Sequence, residues 1–181
     1  MTVLSGRELA TEIRAGTSAA AADLAAAHRP PRLTVVTATD DESSAWYVRS
    51  IASAAAKAGI GCEVEDLGPQ ATAGGIEAQL TALSGDPTVH GVILTTPLPG
   101  GARLAELAEA IDPAKDVDGA NPVSLGRLMT GLSAFAPATA EAVLRLLDHH
   151  RVELAAMDEV TCEVVARADQ VVAAVREEIA R

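Results

Sequence analysis

Aromatic side chains are nearly missing from this chain of 181 residues: Trp46, Tyr47 and Phe135 are the whole set, 2% of the composition. Two of the three are adjacent, which marks Trp46-Tyr47 as a place where rings are wanted. Basic charge is scarce as well. Lys and Arg number 14 against 25 Asp and Glu, a formal net charge of −11. A nucleic-acid binder presents a basic face, and none is visible, so that class is excluded. An acidic surface does not exclude an anionic small ligand, because loop amides and single Arg or Lys residues can dominate a pocket. Cysteine is limited to Cys62 and Cys162, far apart and outside any CxxC or Cys/His pattern. Both read as small hydrophobes of a cytosolic protein, with neither a disulfide nor a metal site. No stretch approaches the ~20 unbroken apolar residues of a membrane span. The N-terminus lacks the basic-then-apolar pattern of a signal peptide, so the expected location is the cytoplasm. Four histidines are scattered, and His149-His150, unable to share one helix face, reads as helix-end surface.

Hydrophobic residues make up 49% of the chain, alanine foremost. The length suffices for one domain with a buried core plus an appendage. Gly6 to His28 is alanine-rich with Leu9, Ile13 and Leu24 on one helical face, interrupted by a bend at Gly16-Thr17 and ended by Pro30-Pro31. The β-branched run Arg32–Thr37 predicts a buried strand. A helix follows from Ala45 to Lys57, preceded by polar capping residues and closed by Gly59. A strand is expected over Cys62–Leu67, a helix over Ile76–Leu83, a strand over Val89–Leu94 and a helix over Leu104–Ile111. Such alternation indicates right-handed βαβ units. The pattern changes after residue 120, where helices are expected at Ala138–His150 and Val160–Ile179. The fold class is therefore α/β: a three-layer domain with a mainly parallel sheet flanked by helices, plus C-terminal helices.

The densest polar constellation is Lys115-Asp116-Val117-Asp118-Gly119-Ala120. It follows a strand and the loop Thr96-Pro97-Leu98-Pro99-Gly100-Gly101. Open α/β sheets bind ligands outside the carboxyl ends of their strands, so this string reads as a ligand-gripping loop. Each element also has a plainer account. Asp118 is either a ligand carboxylate or a cap on a neighbouring turn. Tyr47, on one helix face with Ser44, Ser50 and Ile51, is either a ring offered to a ligand or a half-buried core residue. The prolines fix a loop that is either a shaped wall or simply a rigid turn.

Taken in order, Ser44-x-x-Tyr47-Val48, Gly91-Val92-Ile93-Leu94, Pro97-Leu98-Pro99, Lys115-Asp116-Val117-Asp118-Gly119 and Gly126-Arg127-Leu128 resemble the methylenetetrahydrofolate dehydrogenase/cyclohydrolase family. The likeness starts with Ser5-Gly6-Arg7 and covers roughly residues 3 to 150. It implies a folate-binding domain over 1–150, with 151–181 a C-terminal helix in place of the family's dinucleotide-binding domain. It further implies that Asp118 grips the pterin edge, as a carboxylate accepting two parallel N–H bonds, and that Tyr47 lines the folate's aromatic system. Catalytic roles fall to Asp118 and Tyr47. The substrate cleft is expected from Tyr47, Ile51, Thr95, Pro97, Leu98, Pro99 and Asp118. Two positions depart from the family pattern: its catalytic lysine is Ile51, and a supporting glutamine is Thr95. No glycine-rich strand–turn–helix fingerprint is present, since Gly74-Gly75 and Gly100-Gly101 are isolated pairs.

These features predict a one-carbon tetrahydrofolate derivative as ligand, no NAD(P) and no metal. The expected function is a folate-dependent one-carbon enzyme that hydrolyses methylene- or methenyl-tetrahydrofolate or transfers its carbon to a second small molecule, without dehydrogenase activity. In that enzyme Asp118 or Asp116 would move protons. The alternatives are a non-catalytic folate-binding or regulatory module pairing with a full-length homologue, and an α/β scaffold serving protein contacts. A homodimer is the default assembly if one forms.

Overall fold

The computed structural model describes residues 4–152. The helix expected at Val160–Ile179 and Cys162 lie outside the described residues. Three strands, β1 (Arg32–Thr37), β2 (Gly61–Asp66) and β3 (Gly91–Leu94), form one sheet. Its order is β2-β1-β3, and both pairings are parallel. The helices are α1 (Arg7–Ala26), α2 (Glu42–Lys57), α3 (Ala73–Gly85), α4 (Leu104–Ala108), α5 (Pro122–Met129) and α6 (Ala138–His149).

The central strand carries the most apolar stretch. Val35 and Val36 are fully buried, and Val36 joins Ile76, Leu80, Val92, Leu94, Leu107 and Ile111 in the main core. Strand β2 is an edge, with Val64 exposed and Glu63 ion-paired to Arg32 of β1 at 3.3 Å. Helix α2 starts three residues earlier than its apolar pattern suggests, because Asp41 caps it by accepting the Ser44 N–H at 2.8 Å. Thr72 extends α3 in the same way, accepting from Gly75 N.

Three expectations are corrected. Helix α1 runs unbroken through Gly16-Thr17. Its Ile13 and Leu24 stay exposed among the described residues, and Ala21 is the helix's buried residue. Helix α5, unread in the sequence, begins where Asn121 accepts from Val123 N with Pro122 in the first turn.

The sheet order creates the crevice. After β1 the chain turns through α2 toward β2; after β2 it crosses back through α3 to pair β3 on the other side of β1. The loops after β1 and β3 therefore diverge, and the carboxyl edge between them is the topological switch point.

Candidate functional site

A fourth segment extends the sheet beyond β3. Val92 bridges Asp116 in parallel fashion and donates to Lys115 O at 2.8 Å. Gly91 permits this approach, since a Cβ there would stand 2.9 Å from Val117 Cγ1. The pairing is a single bridge, and the chain turns at once, with Val117 N donating to Lys115 O and Gly119 N to Asp116 O, so Asp118 sits in the turn that follows.

The polar string splits into separate tasks. Asp116 is 0% exposed. Its carboxylate accepts from Ala120 N and Asn121 N, each at 2.9 Å, and from Ser124 Oγ at 2.8 Å. This staple fixes the start of α5 and excludes Asp116 from proton transfer with a ligand. Lys115 Nζ donates to Asp86 O at 2.6 Å and Leu83 O at 3.3 Å, closing the end of α3 rather than facing the crevice. Asn121 Nδ2 donates to Ala108 O and Ile111 O, holding the end of α4. Gly119 has φ +65, and a Cβ there would run into the backbone of Ala136 and Pro137.

Asp118 is the exception. Its backbone carbonyl accepts from Ala138 N at 3.2 Å, but its carboxylate has no hydrogen bond or ion pair among the described residues. Every sealed side-chain oxygen or nitrogen among them has a partner, so the partly buried Asp118 oxygens remain open to a ligand. Burial, and then the neighbouring Asp116 charge, push its carboxyl above the usual carboxylate range.

Ser44 clasps the two sides of the crevice. Its Oγ proton lies between Asp41 Oδ2 at 2.9 Å and Thr96 O at 3.2 Å. The hydroxyl of Ser43 also donates to Asp41, and these bonds hold the Asp41 carboxyl below its ordinary value. Tyr47 stands one helical turn beyond Ser44, 51% exposed, and Ile51 follows a turn later, half-buried. Thr95 is buried, and both its N–H and its hydroxyl donate to Val36 O. Its hydroxyl is thus committed to the sheet. Pro97 follows a cis peptide bond, Leu98 packs partly buried against the core, and Pro99 is partly buried. The clasp joins the helix that carries Tyr47 and Ile51 to the loop of Thr95, Pro97, Leu98 and Pro99, and Asp118 lies in the turn two residues past the bridge to β3. Among the described residues there is no cluster of ligands for a metal ion, and no helix is long and apolar enough to cross a membrane.

The model of the catalytic domain of tetrahydrofolate dehydrogenase/cyclohydrolase matches residues 4–118. The chain belongs to that family. Among its relatives, bifunctional protein FolD 1 of Saccharopolyspora erythraea is 64% identical over 152 residues, covering 84% of this chain and 52% of the relative. The protein of the same name from Rhodococcus jostii is 63% identical over 147 residues, 81% of this chain and 50% of the relative. The crystal structure of the bifunctional methylenetetrahydrofolate dehydrogenase/cyclohydrolase FolD from Campylobacter jejuni superposes with a TM-score of 0.79. It is 32% identical over 84% of this chain and 54% of that one. A Trypanosoma brucei enzyme of this type, complexed with NADP cofactor and inhibitor, superposes at 0.78 with 28% identity, over 86% of this chain and 54% of that one. The chain spans about half the length of the curated relatives it matches.

The matched segment ends at Asp118, so this tetrahydrofolate dehydrogenase/cyclohydrolase domain carries its open carboxylate at the limit of the family pattern. The Asp41–Ser44–Thr96 clasp and the Asp116 hub were not read from sequence. The signals were present: an Asp three residues before a Ser at a helix start, and Asn-Pro after a short acidic string.

Proposed function

We propose that this chain binds a one-carbon derivative of tetrahydrofolate and either hydrolyses it or passes its carbon to a second small molecule, without hydride transfer. The observation that carries this is Asp118: a carboxylate partly drawn out of water, raised in pKa and unpartnered among the described residues, in the turn just past the bridge to β3. An amino-pyrimidine edge offers two parallel N–H donors, and a charge-assisted bidentate pair repays the burial. Tyr47, on the clasped helix, supplies the ring face for the folate's benzoyl group.

In hydrolysis of the methenyl form, water adds through oxygen to the cationic carbon between N5 and N10. The C–N5 bond then breaks, N5 recovers a proton, and one proton goes to solvent, leaving a formyl group. Acid–base assistance is worth roughly 10²–10⁴-fold, and Ile51 has no group that donates, accepts or carries charge. The Thr95 hydroxyl is already spent on Val36 O. Asp118 and Tyr47 are therefore the residues assigned to this chemistry, and Ile51 leaves apolar room beside the one-carbon unit for a second substrate. The same two positions favour the second reading, a folate-binding regulatory module. No glycine-rich nucleotide fingerprint occurs in these 181 residues.

Calorimetric titration with 5-formyl-tetrahydrofolate is expected to give saturable binding; no heat would reject both folate readings. Turnover of methenyl-tetrahydrofolate is expected to be weak in the native chain and to rise at least tenfold in Ile51→Lys. Binding with no turnover in either protein, alone or with candidate acceptors, selects the regulatory reading. NADPH formation from the methylene form above a no-enzyme control would refute the NAD(P)-independent assignment.

A further inference from the structure

A recess of about 340 Å³ lies between α2 and the carboxyl ends of β1 and β2. Thr37 and Thr39 line it from the end of β1 and the loop beyond, Val64 and Asp66 from β2, and Val48 and Arg49 from α2. Neither Tyr47, nor the Asp118 turn, nor the loop of Thr95 to Pro99 borders it. Side chains alternate between the two faces of a strand. Val36 joins the core with Ile76 and Leu80 of α3, so Thr37 is turned to the α2 side. Thr37 is 8% exposed, and its hydroxyl has no hydrogen bond among the described residues. Every sealed side-chain oxygen or nitrogen among them has a partner, so this hydroxyl is not sealed and opens into the recess. A largely buried hydroxyl with nothing to bond to carries a desolvation cost, which a ligand would offset.

Two opposite charges line the same recess without meeting. Arg49 comes from the helix and Asp66 from the sheet, and neither forms an ion pair among the described residues. Asp66 Oδ1 accepts from Gly68 N at 2.9 Å, which orients the carboxylate and leaves Oδ2 unused. The strand register pairs Asp66 with Thr37, so carboxylate and free hydroxyl are neighbours on adjacent strands, about 4.8 Å apart. Thr39 Oγ1 accepts from Asp41 N at 3.2 Å and keeps its own proton to donate. Val48 and Val64 add apolar surface. A simple anion would satisfy Arg49 but face Asp66, and a simple cation would do the reverse. A molecule carrying both charges a short distance apart satisfies both. The volume is near the lower end of the ~300–1,000 Å³ typical of ligand pockets, which selects a small molecule.

We propose that this recess binds a free α-amino acid with a small apolar side chain. The ligand's carboxylate accepts from the Arg49 guanidinium and the Thr39 hydroxyl. Its ammonium group donates to Asp66 Oδ2 and Thr37 Oγ1, and its side chain rests on Val48 and Val64. No bond is made or broken. The site is separate from the crevice at Asp118 and does not depend on the folate reading of it. Occupancy ties α2 to the edge strand β2, and so stabilises the folded chain in proportion to ligand concentration.

The full chain is titrated by calorimetry with L-alanine, and separately with propionate and ethylamine, each of which keeps one of the two charges. Saturable binding of L-alanine is expected, at least tenfold tighter than that of either analogue. Arg49→Gln and Asp66→Asn should each weaken L-alanine at least tenfold; the asparagine retains an acceptor for Gly68 N. Thr37→Val keeps the shape without the hydroxyl and should weaken it severalfold. Arg49 and Asp66 are exposed, and circular dichroism checks the fold of each variant. No saturable heat with L-alanine overturns the proposal, as does full affinity in Arg49→Gln or Asp66→Asn. Propionate binding as tightly as L-alanine overturns it in favour of a simple anion site, and ethylamine doing so in favour of a simple cation site. Tighter binding of L-phenylalanine than of L-alanine overturns the assignment to a small side chain.

Discussion

Three polar residues of one short string meet three different fates. Lys115 closes a helix end, Asp116 staples a turn, and Asp118 has no side-chain partner among the described residues. A partly buried carboxylate left unpaired carries a cost. Burial and the Asp116 charge raise the Asp118 carboxyl above the usual carboxylate range. A raised acid stabilises the fold in its protonated form, and that contribution is lost as the pH rises through the folded-state pKa. Asp118→Asn keeps the shape without the charge. Its melting temperature is therefore expected to exceed that of the native protein at pH 7.5, and the gap to close as the pH falls toward 4. Folate affinity should move the other way, falling by about 1.5–3 kcal/mol, roughly ten- to a hundredfold, as a charged hydrogen-bond acceptor is lost. Melting curves at the two pH values and calorimetry at pH 7.5 check both signs. A variant less stable at pH 7.5 would mean that the carboxylate has an internal partner after all.

At the scale of elements, α2 is tied to the loop after β3 by one hydroxyl. Ser44→Ala removes the bond to Thr96 O and leaves the Asp41 cap on the Ser44 N–H in place. A loss of about 1 kcal/mol in stability is expected, with folate binding weakened severalfold as Tyr47 and the loop lose their common register. Ser43→Ala is the control, because Ser43 donates to Asp41 alone; equal effects of the two on folate affinity would remove the clasp from the site. The parallel strands and their helices were legible in the sequence because β-branched runs such as Arg32–Thr37 alternate with long alanine-rich segments. Strand ends moved by one or two residues, set by pairing such as Leu33 with Gly91. Helix α5 was not legible, since Ser124 is its one buried residue and apolar Val123 and Met129 are exposed. Its signal lay in capping by Asn121, not in periodicity. The motif placed Asp118, Tyr47 and the proline loop at one edge; it could not show that the Thr95 hydroxyl turns back to the sheet or that Asp116 is spent internally. Those outcomes depend on which backbone groups tertiary packing leaves unsatisfied, and spacing along the chain carries no such information.

For the whole molecule, net charge opposes the compact state, and salt relieves it. A net charge of −11 makes the compact state repel itself. The ion pairs that could offset this, Arg32–Glu63, Arg103–Glu106 and Arg145–Glu141, are all exposed, and pairs of that kind contribute about 0–1 kcal/mol each. Salt screens long-range repulsion, with a Debye length of about 30 Å at 0.01 M and 10 Å at 0.1 M. Raising sodium chloride from 0.01 to 0.3 M is thus expected to raise the melting temperature. A melting temperature that falls with salt would show that local ion pairs outweigh the net field.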